Sequence, residues 1–102
     1  MLTEWAAALQ AKDLSRVAAV SLAMDDAQRG ALTRYFDNAD RLNISIADVD
    51  VLVAGDEALA TFTRRDAFVD KRSGKDMQLE VRLSGELART EGHWKLKGIK
   101  KG

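Results

Sequence analysis

Apolar residues in the first forty positions recur at intervals of three and four, the period of one helix face. Leu2, Trp5, Ala6 and Leu9 predict a first helix, with Thr3 as its candidate cap. Gln10-Ala11-Lys12 leads into Asp13, a good N-cap for a short second helix carrying Leu14, Val17 and Ala18 and fading between Ser21 and Met24. Asp25 or Asp26 opens a third helix, with Ala27, Ala31, Leu32, Tyr35, Phe36 and Ala39 on one stripe, that runs on to Arg41. Gly30 weakens it by about 1 kcal/mol relative to Ala. Early acids followed by Arg29, Arg34 and Arg41 suit the helix dipole.

From Asn43 the pattern turns to alternation. Ile44 and Ile46 share one face, whereas Val49, Val51 and Val53 fall in the other register, so a bulge is expected at Ala47-Asp48. Gly55-Asp56 is a turn signal. A second strand over residues 58–69 places Ala58, Ala60, Phe62, Arg64, Asp66 and Phe68 on one face. Lys71 to Asp76 forms a hairpin loop around Ser73-Gly74. A third strand over 77–89 turns Met77, Leu79, Val81, Leu83 and Leu87 inward and Glu80, Arg82, Ser84 and Glu86 outward. Glu91-Gly92 leads to a last strand with Trp94, Leu96 and Ile99 facing the core. Tight connections in series imply an antiparallel meander. The predicted fold class is α+β: three N-terminal helices (about 2–41) packed on a curved four-stranded antiparallel meander sheet (about 43–100), one domain over residues 1–102.

Composition narrows the chemistry. The chain has 102 residues, 46% of them hydrophobic, with no Cys, no Pro and one His. There is no thiol nucleophile, disulfide framework or Cys-ligated zinc, and a His-based metal site is not expected. No apolar run approaches the roughly 20 residues of a membrane span, and no cofactor motif is present. The formal net charge of zero argues against a general polyanion binder. It hides an asymmetry: residues 1–51 carry five basic and eight acidic side chains, and residues 52–102 carry eleven and eight. Lys95, Lys97, Lys100 and Lys101, with Arg82 and Arg89, make a positive region. Without interleaved exposed aromatics it reads as a solvated edge, so no nucleic-acid partner is expected.

Local wording carries a family resemblance. Trp5-Ala-Ala-Ala-Leu9, Ala11-Lys12-Asp13-Leu14 with Val17-Ala18, Val49-Asp-Val51, Gly55-Asp56, Ala60-Thr-Phe62-Thr and Gly92-His-Trp94-Lys-Leu96 occur in an order that resembles the nuclear transport factor 2-like superfamily. That is the cone-shaped fold of SnoaL-like and ketosteroid isomerase proteins. Within it, the chain is similar to small domains appended to larger bacterial proteins, including signalling kinases, and the Met1-Leu2-Thr3 start and Lys100-Lys101-Gly102 end fit excision from such a chain. The enzyme members carry an extra early strand and longer loops at the cone mouth, which this chain lacks. The resemblance implies a cavity between helices and sheet, and dimerisation through the outer sheet face. It places the protein in a bacterium, in the cytoplasm or, within a longer chain, outside it.

Six residues are candidates for lining that cavity: Trp5, Tyr35, Phe62, Arg64, Asp66 and Trp94. Asp66 could be a general base if burial raised its pKa, although pairing with Arg64 or Arg65 is the stronger expectation. Tyr35 with carboxylates is the kind of set used in an oxyanion hole and base, but no motif here fixes that geometry, and a core aromatic with a hydrogen-bonded tip is the plainer reading. A His93 dyad with Asp48 or Asp50 is outweighed by a surface His beside a turn. On the outer face Thr61, Thr63, Glu80, Arg82 and Glu86 are candidate interface residues, with Arg82 pairing Glu80 or Glu86 across a two-fold. The expected function is therefore a non-catalytic accessory domain for small-ligand sensing or self-association, with no catalytic residues assigned. The alternative is a SnoaL-like isomerase or cyclase acting on a hydrophobic carbonyl compound.

Overall fold

The computed structural model describes residues 1–102 as α1 (Leu2–Gln10), α2 (Leu14–Ala19), α3 (Asp26–Asn38), β1 (Ala39–Ala54), β2 (Glu57–Asp70), β3 (Asp76–Thr90) and β4 (His93–Lys101). Helix starts follow capping chemistry except at α1. There Met1 is the N-cap and no side chain caps the helix, so Thr3 lies inside the first turn rather than ahead of it. Asp13 caps α2 by accepting from the Arg16 backbone N–H at 3.2 Å. Asp25, not Asp26, opens α3 through a capping box. Its carboxylate accepts from the Gln28 backbone N–H at 2.8 Å, while Gln28 Oε1 accepts from the Asp25 N–H at 3.0 Å.

The third helix ends at Asn38, short of Arg41. Strand pairing wins at this boundary: Ala39 and Asp40 already pair with Asp70 and Val69 on β2, and the Lys71 N–H donates to the Asn38 carbonyl at 3.0 Å. The register then shifts between Asp40 and Asn43, with Arg41 at φ 53°, which turns Leu42 into the core. An amphipathic stripe of period 3.6 cannot report this competition, because Ala39 suits a helix end and a strand start equally.

The four strands form one antiparallel sheet in the order β1-β2-β3-β4. The bulge expected at Ala47-Asp48 is present: the register shifts between Ala47 and Asp50, and Asp48 sits at φ 53°. Glu91 and Gly92 both take positive φ (53° and 79°), the backbone of a two-residue hairpin turn whose twist matches the strands. Both sheet edges belong to long strands. That of β4 is partly covered by residues 20–22, where Leu22 N–H donates to Leu96 O (2.9 Å) and Leu96 N–H to Val20 O (2.7 Å). This short parallel bridge is what the fading end of α2 becomes.

The core lies between the helices and the inner sheet face, with Phe62, Leu9 and Val17 as its largest fully buried side chains and Trp5, Phe36, Ile44, Leu83, Leu87 and Leu96 around them. Gln10 at the end of α1 accepts from the Ile44 backbone N–H at 3.0 Å, tying helix to sheet. Gly85 faces Phe62 and Leu96, and a Cβ there would sit 3.3 Å from Leu96 Cδ1. Leu79 and Ile99 point inward by alternation but are exposed, and so are Val51 and Val53. Three short helices cover only the middle of a strongly elongated sheet; the molecule measures 46 × 27 × 19 Å.

Candidate functional site

Arg64 and Asp66 are two residues apart on β2, so both project from the inner face. Asp66 is 6% exposed and is the only buried ionisable residue. Three donors from two neighbours hold its carboxylate, one on Oδ1 and two on Oδ2. Arg64 donates from Nε to Oδ1 and from Nη2 to Oδ2, each at 2.8 Å, and the Tyr35 hydroxyl of α3 donates to Oδ2 at 2.5 Å. The fork-on-carboxylate geometry is the strong form of ion pair. Burial, reinforced by the hydrogen bond to Asp66 and its negative charge, holds the Tyr35 phenol protonated far above the ordinary tyrosine range, with Arg64 opposing. Tyr35 also meets Phe68 edge-on, with ring centroids 5.5 Å apart.

The other face of Arg64 meets Trp5, its guanidinium carbon 5.3 Å from the ring centroid. Trp5 in turn stands edge-on to Phe62 at 5.9 Å. Trp5 and Arg64 open onto a cavity of about 290 Å³ between helices and sheet, walled mainly by apolar side chains including Met24, Leu32, Leu96 and Ile99, with Lys97 at its rim. No carboxylate, imidazole or phenol lines it. A volume near 300 Å³ is at the small end for ligand sites.

The six residues expected at the cavity therefore divide. Trp5 and Arg64 line it; Phe62 is fully buried beneath; Tyr35 and Asp66 form a locked pair behind Arg64. Trp94 packs at the far end of the sheet, with the Arg89 guanidinium 5.5 Å from its ring. Met24, Gln28 and Lys97 also contribute to the cavity wall. Met24 and Gln28 flank the α2–α3 junction, and their approach to Arg64 depends on how that junction folds back, which periodicity does not encode. Lys97 occupies the shift in β3–β4 register between Glu86 and Leu87.

On the outer face Arg82 turns inward on its own chain. It donates from Nη1 to the Asp48 carbonyl at 2.6 Å and to Thr63 Oγ1 at 3.2 Å, and from Nη2 to Thr61 Oγ1 at 3.4 Å. The bulge carbonyl is thus satisfied by the guanidinium. Glu80 pairs with Arg65 at 2.9 Å, while Glu86 has no ion-pair partner within 4 Å. His93 is exposed on β4, at the opposite sheet edge from Asp48 and Asp50, so no dyad forms. A shallower concavity of about 320 Å³ lies on the β1–β2 hairpin around Leu52, Val53 and Leu59. No group of three or more His, Asp or Glu side chains is placed to hold a metal ion. No helix is long and apolar enough to cross a membrane.

Comparisons bear on this geometry. No curated protein sequence matches the chain. Among solved structures, a nuclear transport factor 2-like superfamily protein from Salmonella enterica serovar Typhimurium superposes with a TM-score of 0.85 at 13% identity, covering 99% of this chain and 84% of that one. The Kfla4162 protein of Kribbella flavida gives 0.84 at 15% identity, covering 98% and 83%. The hexachlorocyclohexane dehydrochlorinase LinA-type3 of Novosphingobium barchaimii gives 0.82 at 8%, covering 96% and 77%. At these identities the likeness is one of fold. A family model described as a SnoaL-like domain matches residues 21–100, from just after α2 into the last residues of β4. With three helices on an antiparallel sheet and that match over most of its length, the chain belongs to the SnoaL-like domain family and shares the fold of the nuclear transport factor 2-like superfamily protein from Salmonella.

Proposed function

We propose that this protein is a non-catalytic binding module, an accessory domain of a larger bacterial protein, that takes a small, largely apolar molecule into the cavity between helices and sheet. The observation that carries this reading is the commitment of Asp66. A general base must offer a lone pair to substrate, and both oxygens of this carboxylate are held by Arg64 and Tyr35 away from the cavity wall. What faces the cavity is a mainly apolar wall with an indole, the Ser21 and Gln28 side chains and the cations Arg64 and Lys97, a set without a carboxylate or imidazole base that binds rather than abstracts protons. The test is a nuclear magnetic resonance titration with apolar molecules of about ten non-hydrogen atoms. Saturable shifts should cluster at Trp5, Met24 and Leu32 and vanish in Leu32→Trp, which fills the space. Shifts confined to the β1–β2 hairpin, or none, would sink the proposal.

The alternative, an isomerase or cyclase acting on a hydrophobic carbonyl compound, draws support from the dehydrochlorinase that shares this fold. It requires Arg64 to release Asp66 when substrate enters. Turnover of such a compound that disappears in Asp66→Asn, while Tyr35→Phe only slows it, would favour the enzyme. Self-association through the outer sheet face is supported by its mixed character. Thr61 and buried Thr63 lie beside Arg82, with exposed Leu52 and Leu59 along the same face. Light scattering that shows a monomer at millimolar concentration would remove it.

A further inference from the structure

The Arg64 guanidinium is only half used. Arginine has five N–H donors in a planar fork, and the bond pair to Asp66 occupies one edge, Nε and Nη2. Nη1 has no protein acceptor. Because no buried side-chain nitrogen or oxygen in the protein lacks a partner, Nη1 is a solvent-reached atom, and Arg64 is a wall residue of the cavity. Trp5 packs against the guanidinium, and Asp66 fixes its plane from behind. The donor edge is therefore held in one orientation before any ligand arrives, which lowers the ordering cost of binding. Lys97 stands at the rim, its Nζ 3.9 Å from Glu57 Oε1 and so partly neutralised there, and no Asp or Glu lines the cavity to repel an anion.

We infer that the cavity selects a small carboxylate with an apolar body, its carboxylate received by the free edge of Arg64 and its body lying against Trp5, Met24 and Leu32. This rests on the pocket-binding reading above and names its ligand class. A planar two-oxygen anion matches the Nη1–Nη2 edge as Asp66 matches the Nε–Nη2 edge. Taking about 30 Å³ per water-sized group, 290 Å³ holds roughly ten such groups, so the body is an aryl or short alkyl chain and not a polycyclic one.

The experiment compares 4-phenylbutanoate with its neutral isostere 4-phenylbutanamide, by calorimetry and by nuclear magnetic resonance at pH 7. The expected result is a carboxylate at least about tenfold tighter than the amide, since charge-assisted hydrogen bonds exceed neutral ones by roughly that factor. In the wild-type protein the Arg64 guanidinium N–H signals should shift with the carboxylate and not with the amide. The double variant Arg64→Met with Asp66→Leu, which leaves no buried charge unpaired, should bring the preference below about twofold. Lys97→Met, on the rim, should reduce it by no more than about threefold. Equal binding of the two probes at the cavity overturns the carboxylate class and leaves the pocket reading standing. Absence of binding by both up to about 10 mM overturns both. A preference that survives the double variant but is lost in Lys97→Met overturns the role given to Arg64.

Discussion

Replacing Asp66 with Asn tests the central structural claim, that this acid exists to hold Arg64 and Tyr35. The substitution preserves size and removes the charge. It converts two hydrogen bonds from the Arg64 guanidinium to a charged carboxylate into at most one bond to a neutral amide oxygen and presents an NH₂ to a set of donors. Removing one partner of a buried ion pair costs about 3–5 kcal/mol. Asp66 meets that description, but the Arg64 side chain is 17% exposed and opens on the cavity, so water takes up part of the loss. The expected cost therefore falls at or just below the bottom of that range, about 2–3 kcal/mol. At roughly 4 °C per kcal/mol for a domain of this size, Tm should fall by about 8–12 °C. Urea unfolding and calorimetry at pH 7 measure both quantities. The double variant Arg64→Met with Asp66→Leu, which removes both charges together, should lose much less than Asp66→Asn alone. A stability within about 0.5 kcal/mol of wild type for Asp66→Asn, or any gain, would refute the reasoning. A carboxylate that destabilises the fold is the mark of a group kept for chemistry, and the enzyme reading would then move ahead.

Three further outcomes are expected. Tyr35 is the only tyrosine, so tyrosinate absorbance titrates it alone; the midpoint should lie above the ordinary value of 10.0 and move down in Asp66→Asn. Because its folded-state pKa is raised, the stability tied to the neutral phenol is fully present below pH 10 and is lost as pH climbs beyond it. Asp25→Ala should cost about 1 kcal/mol and Asp26→Ala less than half of that, since only Asp25 closes the capping box on α3; chemical denaturation separates them. Arg82→Met should cost about 1 kcal/mol and speed amide exchange around the bulge, because the Asp48 carbonyl loses its donor; unchanged exchange there would show that the bulge holds itself.

The order of elements, the bulge and the turns were readable because each depends on local chemistry. Asp13 and Asp25 cap helices with their own side chains, Gly92 supplies a positive φ, and the slip from Ile46 to Val49 is a change of face that any antiparallel pairing must absorb. The pairing of Arg64 with Asp66 was also within reach, since period-two alternation brings residues two apart to the same face. The end of α3 was not, because Ala39 to Arg41 satisfies both periods and only pairing with Val69 and Asp70 decides between them. Nor could alternation show that Leu79 and Ile99 stay exposed, because which inward residues become buried depends on how far three short helices reach across the sheet.

The same division runs through the site. Sequence alone determined that the titratable chemistry available is that of one histidine, one tyrosine, carboxylates, lysine ammonium and guanidinium groups, and that Arg64, Asp66 and Phe62 share a strand face. Tertiary structure decided what each does. It brought Tyr35 from α3 onto Asp66, set Trp5 from α1 against Arg64, and folded Met24 and Lys97 in from separate elements to shape the cavity. A carboxylate becomes a structural anchor or a base according to which donors reach it. Arg64 donates from two residues away on the same strand, but Tyr35 lies 31 residues away on a helix whose approach is settled by packing, where spacing along the chain has no influence.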